Sequence, residues 1–196
     1  MRTLSLNKPH LIVMVGIPGA GKSFFAEHFA QTFNAPIVSY DQIRSQLYNN
    51  PTFTDDEQEI VGRIANHMLQ ELFKSERTIL YEGPSDLRTE RSTISKLARD
   101  AGYETLFIWV QTESSSAKSR AIKAKNDKIS SADEFNAKIK RFSAPHQTEH
   151  AVVISGKHTY ASQLKIVLKR LVEPRASLAG TPTTERPPNH RNFLIR

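Results

Sequence analysis

Five short apolar runs punctuate the chain: Leu11 to Val15, Pro36 to Ser39, Thr78 to Glu82, Thr105 to Val110 and Ala151 to Ser155. Runs of this length that do not alternate with polar residues suit strands covered on both faces, as in a parallel sheet between two helical layers. The intervening stretches carry helical spacing instead. One covers Phe24 to Phe33, and another places Ile60, Val61, Ile64, Met68, Leu69, Leu72 and Phe73 behind Thr54-x-x-Glu57, a capping-box pattern. That stripe is expected to pack on the core. A second box, Ser131-x-x-Glu134, opens a short helix ending near Phe142. From Glu173 the periodicity stops, and Pro174, Gly180, Pro182, Pro187 and Pro188 predict a flexible tail. The expected fold is therefore α/β: a three-layer core around a five-stranded, mostly parallel sheet, with one domain over 1–172 and a tail over 173–196.

Composition narrows the class. The chain has 196 residues, 38% of them hydrophobic, which suits one compact domain with an appendage. No apolar run approaches the about 20 residues of a membrane span, and the first one passes into glycines rather than a cleavage site. A cytoplasmic protein with no membrane partner is the expectation. The absence of cysteine excludes disulfides, thiolate zinc sites and thiol nucleophiles; of the seven histidines only His146 and His150 stand at H-x-x-x-H spacing, and no metal other than Mg²⁺ is expected. Net charge is +7 and unevenly placed. Between Lys118 and Arg141 eight basic residues face three acidic ones, and the stretch from Pro174 adds four arginines against Glu185, leaving a body close to neutral. Such patches attract phosphates or polyanions, so nucleic acid is one candidate partner; a solvated extension is the plainer reading of the tail.

The chemistry begins directly behind the first run, where Gly16 to Ser23 reads GIPGAGKS. This matches G-x-x-x-x-G-K-[ST] between a strand and a helix, the setting in which that motif cradles phosphates. Gly16, Pro18, Gly19, Ala20, Gly21, Lys22, Ser23 and the following Phe24 form the candidate nucleotide cradle. Glycines let backbone N–H groups turn inward at a helix N-terminus, Lys22 would reach the terminal phosphates, and the Ser23 hydroxyl would hold Mg²⁺. The second strand ends in VSYDQIR. Asp41 lies where strand ends of open α/β sheets line a ligand crevice, so it is a candidate general base toward a hydroxyl, and it also suits the N-cap of a helix from Gln42. Arg44, one helical turn on, would face the same acceptor. The third strand ends in Glu82, a candidate to organise Mg²⁺ or touch the acceptor, with Asp86 as the rival. Arg91, in the next helix, either faces the cleft or is a solvated helical arginine. The basic stretch of about 118–142 is a candidate lid, with Arg120 foremost and Lys123 and Lys125 behind it.

Taken together, GIPGAGKS, SYDQIR, an acidic strand end before Arg91, a basic lid around Arg120 and the spaced FSAPHQTE resemble the P-loop kinases related to polynucleotide kinase and zeta toxin, an AAA-type ATP-binding group. The likeness runs from about Leu11 to Leu171. It implies ATP and Mg²⁺ as cofactors, Asp41 as general base, Arg44 at the acceptor and Arg120 at the donor phosphates. It also implies a structural turn at Phe142, Pro145 and Glu149, and base contacts at Lys157 and His158. The chain departs from the group in carrying Glu82 where Asp is usual and lysines where lid arginines are usual; lysine lacks the bidentate fork of arginine. The expected function is transfer of the γ-phosphoryl group of ATP to a hydroxyl of a nucleic-acid end, a nucleotide-sugar or another small molecule. The alternative is an ATP-binding or ATP-hydrolysing regulatory module without a hydroxyl acceptor. Oligomeric state is left open.

Overall fold

The computed structural model describes residues 8–124 and 131–172. Five strands, β1 (His10–Val15), β2 (Ile37–Ser39), β3 (Ile79–Glu82), β4 (Glu104–Gln111) and β5 (Val152–Ser155), form one sheet in the order β2-β3-β1-β4-β5. Every pairing is parallel. Seven helices connect and follow them: α1 (Lys22–Phe33), α2 (Tyr40–Leu47), α3 (Asp55–Phe73), α4 (Arg88–Asp100), α5 (Ser114–Lys123), α6 (Ala132–Arg141) and α7 (Tyr160–Val172). All five expected strands are found, with no end shifted by more than one residue.

β1 shows why. Its Leu11 to Val15 side chains are all fully buried, and they feed two cores in alternation. Leu11, Val13 and Val15 join Val38, Val61, Leu69 and Ile94 under α2, α3 and α4. Ile12 and Met14 join Phe25, Phe29, Ile154 and Val167 under α1 and α7. A strand with helices on both faces has no solvent side, so it is apolar at every position. A third, smaller cluster of Ala117, Ala121 and Phe135 joins α5 to α6, with Ile17 of the phosphate loop packed against it.

Two helical expectations shift. In α3 the buried ridge is Glu57, Val61, Ala65, Leu69 and Phe73, every fourth residue, whereas Ile60 and Met68 are exposed. The apolar residues along α3 span more than the face that meets the sheet. The Thr54 hydroxyl accepts from the Glu57 N–H at 3.4 Å. The Glu57 carboxylate reaches upstream to the Thr52 and Phe53 N–H groups, at 2.8 and 2.7 Å. In α2 the N-cap is Ser39, whose hydroxyl accepts from the Gln42 N–H, and Asp41 sits inside the first turn. Ser131 caps α6 as expected. Lys125 and Lys128 of the basic stretch and the whole tail from Glu173 lie outside the described residues.

Candidate active site

The phosphate loop closes over the end of β1. Gly16, Gly19 and Gly21 all have positive φ. Gly19 shows the constraint most clearly: at φ +74° it lies against α5, and an added Cβ would collide with the Ala117 carbonyl. Gly156 is held as closely on the other side, where a Cβ would strike the Ala20 carbonyl and the Thr112 hydroxyl. Thr112 Oγ1 donates to the same Ala20 carbonyl at 2.9 Å. The loop is thus wedged between the start of α5 and the β5–α7 turn. Lys22 Nζ donates to the Gly16 and Ile17 carbonyls at 2.6 and 3.1 Å, which holds the ammonium at the loop mouth.

Beside it, two strand ends and the start of α1 bring oxygen atoms together. Ser23 Oγ donates to Glu82 Oε1 at 2.5 Å, and Ser39 Oγ lies 3.5 Å from Glu82 Oε2. The parallel register sets this up, because Ser39 at the end of β2 pairs with Glu82 at the end of β3. Sequence reasoning passed over Ser39; its signal is a small hydroxyl residue closing a strand two residues before Asp41. Hard oxygen donors of this kind, with one carboxylate, suit Mg²⁺, which takes one or two protein oxygens and completes its octahedron with water and substrate phosphates. Among the described residues no three His, Cys, Asp or Glu side chains converge into a protein-only metal cage. Ser23 and Glu82 therefore fit the ion in the manner of a nucleotide-dependent site.

Asp41 follows Ser39 by two residues in the first turn of α2, its side chain 41% exposed and 3.6 Å from Arg44 Nη1. Arg44 points elsewhere. It is only 4% exposed, with Nη2 bonded to Gln58 Oε1, Nε 3.9 Å from Glu57 Oε2 and its guanidinium 4.8 Å from the centre of the Phe53 ring. The expected acceptor arginine is instead held between α2 and the start of α3, where it fixes Asp41.

Arg91 departs further from expectation. Fully buried, it makes two bonds to Glu149, at 2.7 and 3.0 Å, and donates through Nη1 to the carbonyls of Ser85 and Ser143, each at 2.9 Å. Neither a cleft residue nor a solvated one, it ties the β3–α4 loop to the segment after α6. Burial raises the Glu149 pKa, and the Arg91 bonds together with the His146 N–H outweigh it, so the carboxyl ends below its usual range. The turn containing Phe142, Pro145 and Glu149 is built on this pair. Asp86, the rival to Glu82, joins it through its carbonyl, which accepts from the Ser143 N–H at 2.8 Å.

Arg120, on α5, is exposed and donates to the Gly156 carbonyl at 3.1 Å, so it stands over the β5–α7 turn beside the phosphate loop. Lys157 of that turn pairs with Glu113 at 2.8 Å. Phe24, also exposed, stacks near His28 with ring centres 4.3 Å apart. A cleft of about 420 Å³ opens between the phosphate loop and the ends of β4 and β5, lined by Ile17, Trp109, Gln111, Phe142 and Ser155 among others. No helix among the described residues is long and apolar enough to cross a membrane.

Comparison with known proteins places this arrangement. A family model described as an AAA domain matches residues 11–146. The 6-phosphofructo-2-kinase/fructose-2,6-bisphosphatase of Aquarana catesbeiana is 29% identical over 119 residues, which is 52% of this chain and 25% of that protein. The adenylyl-sulfate kinase of Myxococcus xanthus (strain DK1622) is 26% identical over 105 residues, 52% of this chain and 57% of that protein. The chain thus spans less than two thirds of both curated relatives. Among solved structures, the Mycobacterium tuberculosis APS kinase in complex with AMPPNP and APS superposes with a TM-score of 0.61 at 17% identity, covering 83% of this chain and 96% of that one. That likeness establishes the shared fold.

Proposed function

The chain belongs to the AAA-domain family, as a kinase-like P-loop domain, and from that premise we propose that it is an ATP-dependent phosphotransferase that moves the γ-phosphoryl group of ATP to a hydroxyl. One observation carries the reading: Ser23 and Ser39 both meet Glu82 at the mouth of the phosphate loop, and Asp41, two residues past Ser39, keeps a carboxylate 41% exposed. A phosphate site alone would serve any nucleotide-binding module. A carboxylate held next to it by a buried arginine suits deprotonation of an acceptor.

In this scheme the inward N–H groups of the loop and the Lys22 ammonium bind the phosphates of ATP. Ser23 and Glu82 would hold Mg²⁺, which when bound neutralises charge on the β- and γ-phosphates. Asp41 takes the acceptor's hydroxyl proton as the new oxygen–phosphorus bond forms. The bond from the γ-phosphorus to its bridging oxygen breaks, and that electron pair leaves on ADP. Arg120, with the other lid cations, stabilises the equatorial oxygens, while α5 and α6 act as the lid that keeps water out. Arg44 orients Asp41 and does not touch the acceptor.

The test is transfer of labelled γ-phosphate from Mg-ATP to a panel of a 5′-hydroxyl oligonucleotide, nucleosides, sugars and nucleotide-sugars. Asp41→Asn should keep ATP binding and lower kcat by about 10²–10⁴. Unchanged turnover in that variant, or ATP binding with no labelled acceptor, favours the regulatory module instead. The internal use of both Arg44 and Arg91 is the one observation on that module's side, since it takes two cations away from the acceptor.

A further inference from the structure

The cleft beside the phosphate loop has a composition that the transfer chemistry does not use. Its floor is the end of the sheet. Trp109 and Gln111 of β4 point to the same face as Val153 and Ser155 of β5, their register partners. That face of β5 is open: Val153 is 45% exposed, while Val152 and Ile154 are buried under α7 on the other side. Phe142, at the end of α6, forms one wall, and Ile17 of the phosphate loop forms the edge. Two half-buried aromatic rings therefore flank a space of about 420 Å³ that also offers the Gln111 amide, the Ser155 hydroxyl and, at its far rim, the paired Glu113 and Lys157. Flat rings recruit flat rings, and the polar groups can meet donors and acceptors on a ring's rim.

The position says whose ring this is. Trp109 and Phe142 pack against the same core cluster as Tyr40 and Ile43 of α2, so the aromatic side of the cleft lies on the Asp41 face of the sheet, while Val110 and Ile17 line it from the α1 face. Phosphate-loop helix α1 packs on the opposite face. In the strand order, β4 lies three places from β2. At about 4.8 Å per strand this separates the cleft from Asp41 by about 14 Å. A single sugar ring does not span that distance; a base joined to a sugar and a phosphate comes much closer.

We propose that the Trp109–Phe142 cleft binds the planar base of the phosphoryl acceptor, which makes the acceptor a nucleoside or nucleotide derivative rather than a free sugar. This deepens the phosphotransferase reading and rests on it. Trp109 is the chain's single tryptophan, so its emission reports on this cleft alone.

The experiment uses the full chain with its donor site first saturated by a non-hydrolysable ATP analogue and Mg²⁺. AMP, GMP, CMP and UMP are then titrated while Trp109 emission is followed, with D-glucose and D-gluconate as controls that lack a base. At least one nucleotide should change the emission saturably and the sugars should not. Phe142→Leu should weaken that affinity by roughly tenfold, the scale of one lost base-stacking contact, without changing affinity for the ATP analogue. Circular dichroism checks that the variant is folded, and Gln111→Ala, at an exposed position, is the second variant.

A response to the ATP analogue with nothing further from any nucleotide would assign the cleft to the donor's base and overturn the proposal. A response to sugars alone, or to no probe at millimolar concentration, would overturn it as well. Failure of the phosphotransferase reading is separate: saturable nucleotide binding without labelled product in the transfer assay removes the reaction and leaves the cleft. Labelled sugar without nucleotide binding removes the cleft and leaves the reaction.

Discussion

Single side chains in this site do work that depends on where their neighbours come from. Glu82 is the clearest case, because its two oxygens face Ser23 of the phosphate loop and Ser39 at the end of β2. Glu82→Gln keeps the shape and removes the charge. The Mg²⁺ concentration needed for half-maximal transfer should rise roughly ten- to hundredfold, as seen when groups around a metal are altered; a Mg²⁺ titration at fixed ATP measures it. Ser39→Ala should move the same titration by less. The phosphate loop was legible from sequence because its spacing is local, and the place of Asp41 just past β2 because the apolar run before it marks the strand's end. The destinations of Arg44 and Arg91 were not legible. Arg91 finds Glu149 at a separation of 58 residues and Arg44 finds Gln58 at 14, so neither partner belongs to the arginine's own helical pattern.

Elements are joined by a few contacts whose loss has predictable signs. The Arg91–Glu149 pair links α4 to the turn before β5 with almost no solvent access. Removing one partner leaves the other charge buried and unpaired, at a cost of about 3–5 kcal/mol. Arg91→Leu should therefore lower Tm by about 6–20 °C, at about 2–4 °C per kcal/mol for a chain of this size. The pair also sets an acid limit. Because the folded pKa of Glu149 is depressed, its stabilisation is complete above the unfolded carboxylate value and is lost as pH falls through the folded one. Glu149→Gln should flatten the dependence of Tm on pH below the usual carboxylate range, in addition to lowering Tm throughout. Gly156→Ala should push the β5–α7 turn off Ala20 and Thr112 and raise the Kd for ATP, measured by calorimetry, with a smaller effect on Tm. The central strand β1 was readable because a two-sided core leaves it no polar position from Leu11 to Val15. The buried ridge of α3 was blurred because apolar residues such as Ile60 and Met68 also sit on its outer face.

At the scale of the whole molecule, the sheet with its two helical layers and the α5–α6 pair have separate cores, since Ala117, Ala121 and Phe135 form their own cluster. Phe135→Ala empties the smaller one. Opening should be local: hydrogen exchange in α5 and α6 should accelerate and KM for ATP should rise, while protection of β1 and β4 stays as it was. The strand order has a further consequence, for the order of events during synthesis. β1 sits at the centre and bonds only to β3 and β4, both of which lie beyond Thr78 in the chain. At about 5–20 residues per second, its five apolar residues wait about 3–13 s before the first partner is made. During that interval the nascent chain exposes an unpaired LIVMV segment, the kind of short apolar strand that pairs with other copies of itself. The yield of folded protein should therefore depend on translation speed and on chaperones that cover this segment until Ile79 to Glu82 emerges.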